Sequence, residues 1–312
     1  MREDSRIPAF SLSSWLVRLA CVLLLAGQAW LHMDVGDIPL RELLWNEEMM
    51  TGIVHKRLGM TWNEYVTSPE IDRGISRIIF GMGVFYAVAA LFALVLRPRT
   101  VAATVLCAAT VLLVFLAWLE YLDQARQWTV FWEHALQSAT PLLVVLLCIL
   151  ERRGWGMQAL LRLALAVTFI AHGVFAWGLS PEHPLPWIGH LGFDVATPGS
   201  FVEMTLESLD LETEEEALQI LHWAGLADFI AAILLFLPKL WILGAAYMTA
   251  WGFLTALARL WTYFESEVWA ETLRTWGPEF LVRGVHWLVP LALLVLWRER
   301  VAQERRSGLL RD

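Results

Sequence analysis

The chain has 312 residues, of which 58% are hydrophobic and 17% charged, and its formal net charge is −8. Its mean hydropathy is +0.55, whereas a soluble globular domain has fewer apolar and more charged residues. The composition therefore excludes a soluble globular protein and indicates an integral membrane protein, and the negative charge predicts no nucleic-acid partner.

Eight apolar stretches follow one another along the chain. A helical span needs about 20 mostly apolar residues, and these stretches are apolar on nearly every face, unlike the amphipathic helices of soluble proteins. The sequence therefore predicts an all-α integral membrane protein with eight transmembrane helices in a lipid bilayer. The predicted spans lie near 15–33, 75–96, 100–120, 133–150, 158–178, 219–237, 240–260 and 279–297.

Basic residues are concentrated in the short loops on one side of the predicted spans. They are Arg97, Arg99, Arg152, Arg153, Lys239 and the arginines of the tail 298–312. Since short cytoplasmic loops are enriched in Lys and Arg, both termini are expected in the cytoplasm. The two long loops then lie on the outer side, and we expect a multi-pass protein of the bacterial cytoplasmic (inner) membrane.

The two halves of the chain share a series of landmarks in the same order. Residues 16–20 (LVRLA) match 160–164 (LLRLA), and residues 83–90 (GVFYAVAA) match 225–232 (GLADFIAA). Each half also has a long outer loop that ends in a helix-start signal, Ser68-Pro-Glu or Thr213-Glu-Glu-Glu. The sequence therefore predicts a tandem duplication.

The duplication divides the chain into two four-span repeats. Residues 1–152 form the first, with outer loop 34–74, and residues 153–312 form the second, with the acidic outer loop 179–218 and the basic tail 298–312. Because each repeat has an even number of spans, both insert in the same orientation. The short inner turns predict a four-helix bundle for each repeat.

Ionisable side chains recur in the outer halves of the spans of the second repeat. An Arg, Lys or Asp at mid-span costs about 2.5–3.5 kcal/mol, so such residues face a bundle interior and find partners. At 1.5 Å rise per residue they all fall within roughly 15 Å of the outer surface. We therefore expect one polar pocket in the second bundle. Its candidate residues are His172, His222, Asp228, Arg259, Glu279, Arg283 and His286.

The first repeat holds a weaker copy of this polar set, with fewer cations and histidines. It consists of Gln28, His32, Arg77, Tyr86, Glu120, Glu133, His134 and Gln137. The working site is therefore assigned to the second bundle. In that bundle Glu279, Arg283 and His286 are spaced i, i+4, i+7, so they share one helix face.

Three interpretations of the pocket remain open. Arg283 and His286, with Asp228 and Glu279 as charge partners, suit the carbonyl oxygens of a quinone or the head of an anionic lipid. The histidines could instead bind a haem or a metal, although no HxxxH, CxxC or CxxCH spacing is present. A polar network that only fixes helix packing is the third interpretation.

Short motifs of the second half resemble the DoxX-like and DoxD-like family of four-span membrane proteins. They are Leu161-Arg-Leu-Ala-Leu-Ala-Val-Thr-Phe-Ile-Ala-His-Gly173, Gly225-Leu-Ala-Asp228 and Gly277-Pro-Glu-Phe-Leu281. The resemblance implies a four-helix bundle per repeat and a link to quinone-dependent redox systems, since DoxD-like proteins are subunits of a thiosulfate:quinone oxidoreductase. The family-matching positions are His172, Asp228 and Glu279. In the first half, Gln28-Ala29 and Glu133-His134 replace the family's His-Gly and Glu-Phe.

The leading hypothesis is a membrane protein whose pocket binds a quinone or similar amphiphile, with a periplasmic or membrane redox partner. One alternative is a scaffold or assembly subunit that uses its outer loops. The other is a small-molecule or ion transporter, which needs a polar path to the cytoplasm. The inner halves of the spans offer only Arg18 and Arg162 for such a path, and the sequence does not decide whether the protein is an enzyme.

Overall fold

The computed structural model describes residues 11–35, 38–124, 127–152, 154–178 and 197–306, and within these ranges it contains helices and no strand. Eight of the described helical segments are long and apolar enough to cross a membrane. The predicted helical class and number of spans are therefore confirmed. Residues 179–196 of the predicted acidic loop and the end of the basic tail, 307–312, lie outside the described residues.

The helices are long membrane spans and the short segments that connect or extend them. Three π-helical stretches, Leu31–Val35, Val54–Leu58 and Val145–Ile149, accompany them. In chain order the helices are α1 (Leu12–Trp30), α2 (Pro39–Leu44), α3 (Glu47–Ile53), α4 (Trp62–Thr67), α5 (Pro69–Val95), α6 (Arg99–Asp123), α7 (Trp128–Glu133), α8 (Ala135–Val144), α9 (Trp155–Trp177), α10 (Gly199–Leu209), α11 (Glu214–Leu234), α12 (Trp241–Thr262), α13 (Trp269–Val282) and α14 (Val285–Arg306).

The helix-start signals of the two long loops lie where the sequence predicts them. The side chain of Ser68 accepts a hydrogen bond from the backbone of Ile71, and Pro69 opens α5. Thr213 and Glu216 form a capping box at the start of α11. Both arrangements provide acceptors for backbone N–H groups that lack a partner in the first helical turn. They fix the starts of the helices of the second and sixth spans.

The two halves of the chain share one apolar core. The first span, α1, packs against α5 of its own half and against α13 and α14 of the other half. Gly27 permits this contact, because an added Cβ would lie 2.9 Å from the carbonyl oxygen of Pro278. The helices at the periphery, α5, α6 and α11, expose apolar side chains such as Leu91, Val111 and Ile233. An apolar face of this kind suits contact with lipid.

The fourth and eighth spans are each interrupted in their first half. The fourth breaks at His134, between α7 and α8, and the eighth breaks at Arg283 and Gly284, between α13 and α14. A proline, Pro141 or Pro290, follows each break within the next helix. Irregular backbone at membrane depth occurs where it is enclosed by protein or lines a cavity. Both breaks are therefore candidate positions for a functional site.

A threonine of the fifth span supports the break at His134. The backbone N–H of Leu136 donates to Thr168 Oγ1 at 2.9 Å, and both residues are fully buried. We expect Thr168→Val to lower the stability by about 1–3 kcal/mol, because it leaves this N–H without a partner in an apolar interior. The melting temperature of the protein in mild detergent measures the effect. Thr104→Val, at an exposed position of α6, is the control and should melt like the wild type.

Candidate functional site

A cavity of about 610 Å³ lies among the fourth to eighth spans and α10. Its size is within the range of small-molecule sites, about 300–1,000 Å³. Most of its wall is apolar, and its polar groups come from helices that are distant in sequence. The wall includes Glu133, His134, Gln137, Phe169, His172, Phe175, Phe201, Met204, Leu221, Asp228, Trp251, Leu254, Arg259, Arg283 and His286.

Five of the seven candidate residues from the sequence line this cavity. They are His172, Asp228, Arg259, Arg283 and His286. Glu279 is not part of the wall, but it lies directly behind it as the ion-pair partner of Arg283. His222 is exposed, and its ring lies 6.0 Å from that of Trp177, so the structure does not bring it into the cavity.

The carboxylate of Glu279 lies between two guanidinium groups. It forms a direct ion pair with Arg283, and its Oε2 lies 4.0 Å from Nε of Arg259. Arg283, at the break, is part of the cavity wall, while Glu279 lies one helical turn earlier on α13. Glu279 thus balances the charge of the two arginines and holds them beside the cavity.

The fourth span contributes a second group of polar residues. His134 Nε2 lies 3.1 Å from Glu120 Oε2, and its Nδ1 lies 3.7 Å from Glu133 Oε1. Nδ1 also lies 2.9 Å from the carbonyl oxygen of Val130. Both ring nitrogens therefore face oxygen acceptors, an arrangement that favours an imidazolium donating on both sides.

The contribution of the first half is what the sequence reasoning missed. Glu133, His134 and Gln137 line the same cavity as His172 and His286. The signal was present in the sequence, since these residues precede Pro141 much as Arg283 and His286 precede Pro290. The prediction placed the site in the second bundle alone, as if the two bundles were separate. In the structure, α7 and α8 of the first half pack directly against α9 of the second half.

The cavity contains buried donor groups without a partner. Nε of Arg259 and Nε2 of His286 make no hydrogen bond to any described residue. His286 is only 5% exposed. Asp228, in contrast, accepts a hydrogen bond from the Tyr247 hydroxyl at 3.0 Å. Buried polar groups in native proteins almost always have a partner. The two nitrogens without a hydrogen bond are therefore candidate contacts for a ligand, although Arg259 Nε also lies 4.0 Å from Glu279.

The arrangement also bears on the haem and metal interpretations. The rings of His172 and His286 are in edge-to-face contact, with centroids 5.1 Å apart, so they do not leave space for a porphyrin between them. Ligand atoms of Glu120, Glu133 and His134 lie within 4.8 Å of one another, a donor set that divalent metals accept. His134 is already in ion-pair contact with Glu120, and we interpret this trio as part of the ion-pair network.

Comparisons with known proteins leave the site to be interpreted from its own geometry. No protein-family model, no curated protein and no solved structure matches this chain. The resemblance to the DoxX-like and DoxD-like family stays a prediction that rests on the short motifs around His172, Asp228 and Glu279.

Proposed function

We propose that the cavity binds a small amphiphile whose head group carries hydrogen-bond-accepting oxygens, as a quinone does. The observation that carries this proposal is a pair of buried nitrogens without a hydrogen bond, Arg259 Nε and His286 Nε2, on two residues of the wall of a mainly apolar cavity. A ligand with two acceptor oxygens provides a partner for both nitrogens. An apolar molecule would leave both desolvated, which costs about 1–3 kcal/mol for each group.

The walls of the cavity suit the two ends of such a molecule. Arg259 and His286 would donate to the oxygens of the head group, and Glu279 would keep Arg259 and Arg283 in place. Phe169, Phe201 and other apolar side chains would contact the ring and the tail. A bound quinone would supply two-electron, two-proton redox chemistry, and the protein would work with a membrane or periplasmic redox partner.

The proposal extends to the arrangement of the chain in the inner membrane. We place both termini in the cytoplasm and treat the halves as tandem repeats of a DoxX-like bundle. Two matching close contacts support the duplication. Gly83 of the second span lies against residues 29–33 of the first, and Gly225 of the sixth lies against residues 173–177 of the fifth. Residues 29–33 and 173–177 occupy the same place in the two matched halves.

A binding titration tests the proposed ligand. The purified protein is titrated with a short-chain quinone analogue in mild detergent, and binding is followed by quenching of tryptophan fluorescence, since Trp251 lines the cavity. We expect Arg259→Gln and His286→Gln each to weaken binding about tenfold, because glutamine has neither the charge of Arg259 nor the ring of His286 and does not place its amide donor at the same point. Mass spectrometry of a solvent extract of the wild type identifies the natural ligand.

The control for this titration is His222→Gln. It changes the same residue type as His286→Gln, but at an exposed position outside the cavity. We expect wild-type affinity from this variant. Unchanged affinity in both Arg259→Gln and His286→Gln, with wild-type melting temperatures, would contradict the proposal.

A further inference from the structure

A second pocket lies in the first half of the chain, where the end of α1 meets α2 and the start of α5. Its volume is about 490 Å³, and it is separate in sequence and in lining from the cavity described above. Its wall combines basic and apolar side chains. They are His32, Met33, Arg41, Arg73, Ser76, Arg77, Ile79 and Phe80.

The positive charge of this pocket is only partly balanced. Arg41 forms an ion pair with Asp72 at 2.9 Å and donates to Ser76 Oγ at 2.8 Å. Arg73 and Arg77 are exposed and lie one turn apart on the same face of α5, a spacing at which like charges repel. Arg77 has no ion-pair partner among the described residues, and Arg73 donates only to a backbone carbonyl. Among the described residues, the charges of Arg73 and Arg77 are thus balanced by no carboxylate.

A buried histidine supports the interpretation of this pocket as a binding site. His32 is 3% exposed, and its Nδ1 lies 2.7 Å from the carbonyl oxygen of Gln28. Its Nε2 has no hydrogen-bond partner among the described residues, although His32 contributes to the pocket wall. An anion in the pocket would give Nε2 an acceptor when the ring is protonated. The nitrogen without a partner therefore indicates that the pocket takes a polar ligand, and the arginines indicate that this ligand is an anion.

We propose that this pocket binds the phosphate group of an anionic phospholipid. Guanidinium groups bind phosphate oxygens with paired, charge-assisted hydrogen bonds. The helix α5 has 27 residues and a length of roughly 40 Å at 1.5 Å per residue, whereas the hydrocarbon core is about 30 Å thick. With the excess of roughly 10 Å at the start of α5, Arg73 lies at the level of the lipid head groups and Arg77 at the border of the hydrocarbon core, from which its long side chain can reach the head groups.

The surface below the arginines explains why we choose a lipid over free phosphate. Along the membrane part of α5, Phe80, Val84, Val88 and Leu91 are exposed on the face that carries Arg73 and Arg77. They form an apolar surface that continues from the pocket toward the other side of the membrane. A phosphate attached to acyl chains can occupy the pocket and this surface together. Free phosphate would use only the pocket.

Lipid binding by a charge-matched pair of variants tests the proposal. The full-length protein is purified in detergent, and binding of phosphatidylglycerol, of phosphatidylcholine and of inorganic phosphate is measured by native mass spectrometry. We expect phosphatidylglycerol to bind tightest and Arg73→Gln/Arg77→Gln to weaken it at least about tenfold, since each arginine near the surface contributes about 1 kcal/mol. Lys56→Gln/Arg57→Gln removes the same charge at exposed positions outside the pocket and should leave binding unchanged.

Three results would overturn the proposal. Equal binding of phosphatidylglycerol and phosphatidylcholine would exclude recognition of the anionic head group. Equal losses in the two double variants would show a general charge effect without a site. Binding of inorganic phosphate that displaces the lipid and is lost in Arg73→Gln/Arg77→Gln would assign the pocket to free phosphate. Wild-type melting temperatures confirm that the variants are folded. The quinone titration above does not involve these residues, so the two proposals succeed or fail separately.

Discussion

Replacing Gly252 with alanine is expected to force α12 away from α14 and to abolish ligand binding by the cavity. A Cβ at this position would lie 2.5 Å from the carbonyl oxygen of His286 and 2.8 Å from its carbonyl carbon. These are backbone atoms, so no side chain can rotate away to make room. Overpacking of this kind costs about 1–3 kcal/mol or more. The displaced residue is His286, which carries one of the two free donors of the cavity.

The close approach at Gly252 follows from Pro290. A proline has no backbone N–H, so in α14 the carbonyl oxygen of His286 lacks its usual helical donor four residues later. The backbone of α12 lies against this oxygen, and only a residue without a side chain fits there. The melting temperature of Gly252→Ala in detergent measures the loss of stability, and its affinity for the quinone analogue measures the loss of binding.

Gly81→Ala is the matched control for Gly252→Ala. Gly81 lies within α5, and an added Cβ would have no described atom within 4 Å. We expect its melting temperature to equal or exceed that of the wild type, because alanine favours a helix over glycine by about 1 kcal/mol. Wild-type stability and affinity in Gly252→Ala would show that the contact between α12 and α14 is not as close as described.

Glu279→Gln is expected to destabilise the protein by about 2 kcal/mol, because it leaves Arg259 and Arg283 without their shared carboxylate. Removing one partner of a fully buried ion pair costs about 3–5 kcal/mol. Here the side chains are 32% exposed for Glu279 and 23% for Arg283, so solvent screening reduces the effect. The thermal melting of the purified protein, followed by its tryptophan fluorescence, measures the loss.

A double variant separates the ion pair from other effects of the substitution. If the two charges stabilise one another, Glu279→Gln combined with Arg283→Gln should cost less than the sum of the single variants. Glu271→Gln is the control on the same helix, because Glu271 is 67% exposed and lies 3.8 Å from Arg274. It should change stability by less than about 0.5 kcal/mol. An equal loss in Glu271→Gln and Glu279→Gln would contradict a special role for Glu279.

The spans and two of their helix starts could be predicted from the sequence, but hydropathy did not detect the other ends. Lipid requires a long apolar run, so the eighth span was expected over 279–297, while the helical segment continues from Trp269 to Arg306. The extra turns extend beyond the apolar run, and hydropathy does not detect them. At the second span, the signal Ser68-Pro69 marks the true helix start, which lies six residues before the apolar run at 75.

The sequence can predict which residues belong to the candidate site when their position on a helix face decides whether they point toward the cavity. In α11 the buried residues Leu221, Gly225 and Asp228 are spaced i, i+4, i+7 and share a face, which is the face toward the cavity. His222 follows Leu221 by one residue and therefore points about 100° away from this face. This periodicity could have excluded His222. Glu133 and His134 could not be assigned in the same way, because their place in the cavity depends on how the two halves pack.

The shared core and cavity have a consequence for how the two halves must be produced. A second half made alone would lack Glu133 and His134, and α13 and α14 would lose the face of α1 on which they pack. If two genes encoded the halves, the cell would need equal amounts of the two half-proteins in the membrane. Any half without a partner would have an incomplete core and cavity. A single reading frame removes this problem of supply, since every translated chain carries both walls of its own cavity.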